Sequence, residues 1–189
     1  MATPPLDRHD AVLAVDVQND FCPGGALSVS GGDEIIPVLN DWFESAKAAG
    51  GPSVASRDWH PPNHSSFRPF GGPWPVHCVQ RTWGAEFHPG LRIDGSTVIV
   101  SKGQDPDRDQ YSAFDGTGLA ENLAGRGVRR LWVGGLALDV CVRATVLDAL
   151  REGFELHLVL PATRALNATP SAVEAVLGEL RQAGAAVEA

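Results

Sequence analysis

The chain has 189 residues, 43% of them hydrophobic, and its 15 Lys and Arg against 23 Asp and Glu leave a net charge of −8. This length suits one domain around one core, so we expect residues 1–189 to form a single domain, with residues 1–10 flexible. No basic stripe is present to neutralise phosphates, which excludes nucleic acid and an anionic membrane as expected partners. Neither a signal peptide nor an apolar run of roughly 20 residues is found, so the expected location is cytoplasmic.

Short apolar runs rich in valine alternate with helical patterns along the chain. Such runs are typical of strands that are buried on both faces of a parallel sheet. The runs cover residues 11–17, 52–56, 97–101, 129–135 and 154–161, with 185–189 as a sixth candidate strand. The helical patterns, each ending at or near a glycine, cover 35–50, 119–125, 142–153 and 170–184. This order predicts an α/β fold: a three-layer α/β/α, doubly wound, mostly parallel six-stranded sheet.

Residues 57–96 hold four of the six histidines and no periodic core segment. A long irregular connection inside a compact chain is usually functional. Asp58 and His60 lie two residues apart and so project from the same side of an extended segment, and His77 can join them from across the loop. Two imidazoles and a carboxylate leave coordination positions open, which indicates a catalytic metal site rather than a structural one. The alternative is a set of surface histidines. His64 is expected to add a ligand or a contact just outside the ligands.

Three reactive side chains follow predicted strands: Asp16, Lys102 and Cys141. Doubly wound sheets bind ligands beyond the carboxyl ends of their strands, so these residues are expected to meet. A thiol at a helix N-terminus has a lowered pKa, a carboxylate can take its proton, and a lysine can hold the anionic pair. The backbone N–H groups of Ala137 and Cys141 are candidates for an oxyanion hole. Each residue taken alone could instead be structural, as a buried hydrophobe, a turn cap or a solvated lysine.

With these positions assigned, the chain resembles the nicotinamidases, the metal-containing branch of the isochorismatase-like cysteine hydrolases. The resemblance runs nearly end to end. It rests on the motifs at 16–21, 57–67, 74–79, 84–89, 101–103 and 134–142. It departs from the family at Leu138 and Val140, where members often carry threonine and tyrosine or histidine.

The resemblance implies an amidohydrolase that converts nicotinamide to nicotinic acid and ammonia through a thioester, in NAD salvage, with pyrazinamide as a further substrate. It implies one divalent ion per chain, with zinc as the first choice and iron or manganese as alternatives. It also implies a cis peptide bond between Leu136 and Ala137. Phe21 and Trp74 are expected to hold the substrate ring, or else to be ordinary core residues. The implied triad is Asp16, Lys102 and Cys141, and the implied metal ligands are Asp58, His60 and His77.

Two other hypotheses remain open at this point. One is a related cysteine amidase of the same fold that acts on another carboxamide or on an N-carbamoyl compound. The other is a metal-binding or redox-sensing protein without catalytic activity. The apolar residues of the C-terminal helices suit a homo-oligomer interface as well as packing on the sheet.

Overall fold

Six parallel strands form one sheet, in the order β3-β2-β1-β4-β5-β6. The computed structural model describes residues 4–189. The strands are β1 Asp10–Val15, β2 Ser53–Asp58, β3 Val98–Lys102, β4 Arg130–Leu136, β5 Glu155–Arg164 and β6 Ala186–Glu188. The predicted sheet is confirmed, and all five pairings are parallel. Of the segment expected to be flexible, residues 1–3 lie outside the described part, and Asp10 already belongs to β1.

Helices cover both faces of this sheet and complete the three predicted layers. The helices are α1 Ile36–Ala49, α2 Leu119–Gly125, α3 Arg143–Arg151 and α4 Pro170–Ala183. Alternate residues of β1 point to opposite faces: Leu13 packs with α2, α3 and α4, whereas Val12 packs with α1. In the part of the chain described, no helix has the length and apolar character needed to cross a membrane.

β5 is longer than the apolar run predicts. It continues to Arg164, three residues past the predicted end at Pro161. Proline has no N–H to donate and is tolerated inside a sheet at irregularities. Here the pairing of β5 with β4 shifts register between Val133 and Gly135, so the strand passes Pro161 and resumes pairing at Thr163.

The chain reverses its direction of winding between β1 and β4. From β1 it proceeds outward through β2 and β3, and β4, β5 and β6 then build the other half of the sheet. Gly135, at φ 124°, makes the close approach of the two central strands possible, because a Cβ there would lie 2.1 Å from the Val15 carbonyl oxygen. The crevice beyond β1 and β4 is therefore the expected ligand site.

The opposite end of the same two strands is tied by Asp10. Its fully buried carboxylate binds the Arg130 guanidinium through both oxygens and accepts a 2.9 Å hydrogen bond from Trp132 Nε1. Burial alone would raise the pKa of Asp10, but these hydrogen bonds hold it below its usual range. A lowered folded-state pKa means that the stabilisation is present above the unfolded pKa and is lost as the pH falls through the folded pKa.

We therefore expect Asp10→Asn to lower the free energy of unfolding at pH 7 by about 2 kcal/mol, the range for hydrogen bonds to charged groups. Urea unfolding at several pH values measures this, and the difference from wild type should shrink as the pH falls below about 4. Asp7→Asn is the control, because Asp7 is 62% exposed and lies 4.0 Å from Arg130. It should change stability by less than about 0.5 kcal/mol. A pH-independent loss in Asp10→Asn would contradict the electrostatic account.

Candidate active site

The structure brings the three strand-end residues together in the crevice. Asp16 follows β1, Lys102 ends β3, and Cys141 lies in a π-helical turn, Leu138–Val142, that leads into α3. Lys102 Nζ lies 2.8 Å from Asp16 Oδ2 and 3.5 Å from Cys141 Sγ. All three side chains are buried. A thiol, a carboxylate and an ammonium group therefore share one buried corner of the molecule, which is the set of groups that nucleophilic catalysis by cysteine needs.

The two oxygens of the Asp16 carboxylate have different surroundings. Oδ1 accepts a 2.7 Å hydrogen bond from Ser56 Oγ. Oδ2 forms an ion pair with Lys102 but, within the described residues, receives no aligned hydrogen bond. A carboxylate oxygen of Asp16 lies within 4.8 Å of Cys141 Sγ. Asp16 thus places a carboxylate oxygen beside the thiol, which is the arrangement that a proton acceptor needs.

The predicted lowering of the thiol pKa is wrong for this site. Burial raises the pKa of Cys141 well above its usual value; the Lys102 ammonium opposes this rise, and the carboxylates of Asp16 and Asp58 add to it. Burial also raises the pKa of Asp16, despite the Lys102 ammonium beside it. The start of a helix does not offset this burial. The Cys141 thiol therefore holds its proton more tightly than an exposed cysteine does, and a thiolate mechanism here would need a neighbouring group to accept that proton.

The three predicted metal ligands converge next to this corner. Asp58 Oδ2 lies 3.6 Å from His60 Nε2 and 4.0 Å from His77 Nε2. Donors bound to one ion at about 2.0–2.2 Å are separated by about 3–4 Å, so the group has the spacing of a divalent-cation site. The opposite ring nitrogens contact backbone carbonyls: His60 Nδ1 that of Gly103 at 2.9 Å and His77 Nδ1 that of Pro75 at 2.7 Å. Donation there leaves both Nε2 atoms with a lone pair for the ion.

Asp58 connects the metal ligands to the catalytic corner. Its other oxygen, Oδ1, accepts a hydrogen bond from Lys102 Nζ. Burial would raise the pKa of Asp58, but Lys102 and His60 hold it well below its usual range. The S-K-G motif makes this junction possible, because a Cβ on Gly103 (φ 64°) would lie 2.4 Å from the His60 ring.

His64 lies beside the ligand group without pointing a free nitrogen into it. Nδ1 contacts Ser66 Oγ at 2.7 Å, Nε2 contacts the Arg108 carbonyl at 3.1 Å, and the ring packs on His60 with centroids 4.2 Å apart. Of the two expectations for His64, this geometry fits a contact just outside the ligands.

A cavity opens onto both the thiol and the ligand group. Phe21 and Trp74 line it, as does Ala137, whose peptide bond with Leu136 is cis, as predicted. Of the two family departures, Val140 lines the cavity whereas Leu138 is buried in the core. The rest of the wall consists of seven residues that were not predicted as site residues: Leu27, Val29, Ser66, Asp109, Gln110, Tyr111 and Leu166. Tyr111 accepts a 3.1 Å hydrogen bond from Trp74 Nε1. One signal for it was available, since it is the sole tyrosine of the chain.

A family model described as the isochorismatase domain matches residues 10–189. The chain belongs to this family. It is 39% identical to a nicotinamidase of Escherichia coli, over 93% of this chain and 92% of that protein. A pyrazinamidase of Pyrococcus horikoshii, solved in complex with zinc, is 47% identical with a TM-score of 0.90, over 95% of this chain and 98% of that one. PnC1 from L. infantum, solved with nicotinate, is 37% identical with a TM-score of 0.88, over 99% and 96% of the two chains.

The different positions of His60 and His64 generate a prediction about metal affinity. His60→Ala should weaken Zn²⁺ binding by more than about 100-fold, because it removes a ligand. His64→Gln should weaken it by about 10-fold or less, because it removes only a contact outside the ligands. Competition with a chromophoric chelator measures both dissociation constants. Equal losses in the two variants would make His64 a ligand in the metal-bound protein.

Proposed function

We propose that this protein hydrolyses nicotinamide to nicotinate and ammonia through a thioester on Cys141. The observation that carries the proposal is that Cys141 and the group Asp58, His60 and His77 line the same cavity. A chelating protein would not need a buried carboxylate and lysine beside the thiol, and a simple thiol amidase would not need the imidazoles. The nicotinamidase and pyrazinamidase names of the relatives support the same substrate class.

Phe21 and Trp74 would bind the flat pyridine ring in this cavity. Phe21 also packs against His77, with ring centroids 5.6 Å apart, so the ring site borders the ligand group. The Trp74 indole is fixed by its hydrogen bond to Tyr111, whose pKa burial raises to about 12. A fixed ring would hold the carboxamide carbon in one position relative to the sulfur. This orientation lowers the entropic cost of reaching the transition state.

In the first half-reaction, Asp16 would accept the thiol proton as Sγ attacks the carboxamide carbon. The backbone N–H groups of Ala137 and Cys141 would stabilise the oxygen as it becomes negative. Asp16 then gives the proton to the departing nitrogen, the C–N bond breaks, and ammonia leaves. Lys102 keeps the Asp16 carboxylate oriented throughout.

In the second half-reaction, water would attack the thioester carbon. Asp16 accepts a proton from this water, the same N–H groups stabilise the new oxyanion, and the C–S bond breaks. The sulfur recovers its proton, and nicotinate is released. The two half-reactions together convert the amide and one water molecule into the acid and ammonia, and no further reactant is needed.

Asp58, His60 and His77 would hold one divalent metal ion, with zinc as the first choice. Such an ion would supply Lewis acidity and a fixed point for a nitrogen of the substrate ring. Iron and manganese suit the same ligand types.

A place in NAD salvage follows from the reaction. The cytoplasmic location, a homo-oligomer, pyrazinamide as a further substrate and the single-domain organisation stay predictions.

The first test removes the sulfur. Cys141→Ala should release no ammonia from nicotinamide above background, because no thioester can form, whereas Cys22→Ala should retain nearly full activity. Cys22→Ala is the matched control, because Cys22 is also a buried cysteine outside any disulfide but does not line the cavity. Wild-type turnover should also fall after treatment with a chelator and return with Zn²⁺. If metal-loaded wild type hydrolyses another carboxamide or an N-carbamoyl compound but not nicotinamide, the related-amidase hypothesis replaces this one.

The second test concerns the ionisation of the base. Because burial raises the pKa of Asp16, kcat/KM should fall with decreasing pH at a value above that of an ordinary aspartate, where Asp16 becomes protonated. Ser56→Ala removes a hydrogen bond that favours the carboxylate, so the acidic limb should move to higher pH. Ser112→Ala, which truncates another buried hydroxyl, should leave the limb unchanged. A shift to lower pH in Ser56→Ala would contradict the assignment of Asp16 as the base.

A further inference from the structure

Two of the three residues after Val17, Gln18 and Asp20, anchor the metal-binding loop through their side chains. Gln18 is fully buried and binds both peptide groups of Asp58: its Oε1 accepts the Asp58 N–H at 2.8 Å, and its Nε2 donates to the Asp58 carbonyl at 2.8 Å. The same Nε2 also donates to the Ala85 carbonyl at 2.9 Å. One carboxamide thus provides the pairing that a neighbouring strand would give to the backbone of a metal ligand.

Asp20, two residues further on, holds the other side of the ligand group. Its Oδ2 accepts the Cys78 N–H at 2.7 Å, and its Oδ1 accepts the Ala26 N–H at 3.0 Å. Cys78 follows His77 directly, and its carbonyl accepts the His60 N–H at 3.0 Å. It has φ 45°, a conformation that is uncommon for residues other than glycine, so its backbone needs such a partner. Holding Cys78 therefore fixes the backbone at His77 and at His60.

Asn19, which lies between Gln18 and Asp20 in the sequence, also uses its side chain to bind the backbone of this loop, but at a position away from the ligands. Its Nδ2 donates to the Trp83 carbonyl at 2.8 Å, and its side chain is also buried. Trp83 neighbours none of the three ligands. Three adjacent side chains thus bind the backbone of one loop. Gln18 acts at a ligand residue and Asp20 acts at the residue that follows one, whereas Asn19 does neither.

We propose that Gln18 and Asp20 are positioning residues for the metal site, setting the separation of the Asp58, His60 and His77 donor atoms before an ion binds. The inference rests on the metal site of the proposed function. Asp58 pairs with Lys102 of β3 on one side, but the register of β2 with β1 ends at Ala55, so Gln18 supplies the backbone partner of Asp58 on the other side. The Cys78 N–H likewise has its partner in the Asp20 side chain. Donor atoms must be within a few tenths of an ångström of their places to bind tightly. Without these side chains the ion would have to order the loop as it binds, which lowers its affinity.

Three single variants separate positioning from general stability. Gln18→Met and Asn19→Leu each replace a buried amide by an apolar side chain of similar size, and Asp20→Asn keeps the size of the side chain while replacing one acceptor oxygen. For each, the Zn²⁺ dissociation constant is measured by chelator competition, and the unfolding of the metal-free protein is measured in urea. Gln18→Met and Asp20→Asn should bind Zn²⁺ about 10- to 100-fold more weakly than wild type. Asn19→Leu should bind within about 2-fold of wild type while losing comparable stability.

The proposal is overturned if Gln18→Met and Asp20→Asn bind Zn²⁺ as wild type does, or if Asn19→Leu loses as much affinity as they do. Where Gln18→Met does not fold, Gln18→Glu replaces it, since it keeps the acceptor for the Asp58 N–H and loses the donors. Failure of both Gln18 variants and of Asp20→Asn to fold without metal would also overturn it, because these residues would then serve the fold alone. Absence of Zn²⁺ binding in the wild type would instead refute the metal site of the proposed function.

Discussion

The Lys102 ammonium, buried between the carboxylates of Asp16 and Asp58, is the interaction on which the site depends. An isolated buried lysine would lose its proton, but the two carboxylates outweigh burial and raise the pKa of Lys102 well above its usual value. The cation in turn keeps Asp58 ionised, so that its second oxygen can face the imidazoles. The proposed base and the proposed metal ligands are therefore parts of one electrostatic unit and not two neighbouring sites. Removing the charge of Lys102 would leave two buried carboxylates without a counterion, which is far more costly than losing one surface pair.

The parallel sheet brings the members of this unit to one edge. Neighbouring parallel strands end at the same edge, so β1, β2 and β3 deliver Asp16, Asp58 and Lys102 side by side, as shown by the register that pairs Asp58 with Lys102. β4 contributes Cys141 through the turn that follows its last residue. Because β1 and β4 are the two strands at which the winding reverses, helices leave their ends in opposite directions and a crevice remains.

This regularity explains how much could be predicted from the sequence. The carboxyl ends of parallel strands lie at the same edge of the sheet whatever the conformation of the loops that follow. Apolar runs followed by Asp16, Lys102 and Cys141 were therefore enough to predict one site. The D-x-H spacing likewise placed Asp58 and His60 on one side of an extended segment. The positions of Tyr111, Asp109 and Leu166 depend on how irregular segments pack, and the hydrophobic periodicity of the sequence carries no information about that packing. The role of Gln18 could not be predicted, because a side chain that pairs with backbone 40 residues away leaves no local pattern. The pKa of Cys141 was mispredicted for a related reason: a helix terminus is visible in the sequence, whereas the complete burial of the thiol in the fold is not.

The raised pKa of Cys141 does not oppose the proposed chemistry, because the pKa of Asp16 is raised by the same burial. A thiol that released its proton to water would leave an additional negative charge in this buried corner, and desolvation would oppose that step strongly. A transfer from Sγ to the Asp16 carboxylate only moves one negative charge from oxygen to sulfur, within reach of the same Lys102 ammonium. The net charge of the buried group is unchanged, so the penalty for burial largely cancels between reactant and product. What decides the ease of thiolate formation is the difference between the two pKa values, and a site that raises both together can hold an unreactive thiol at rest and still use it when a carboxamide arrives.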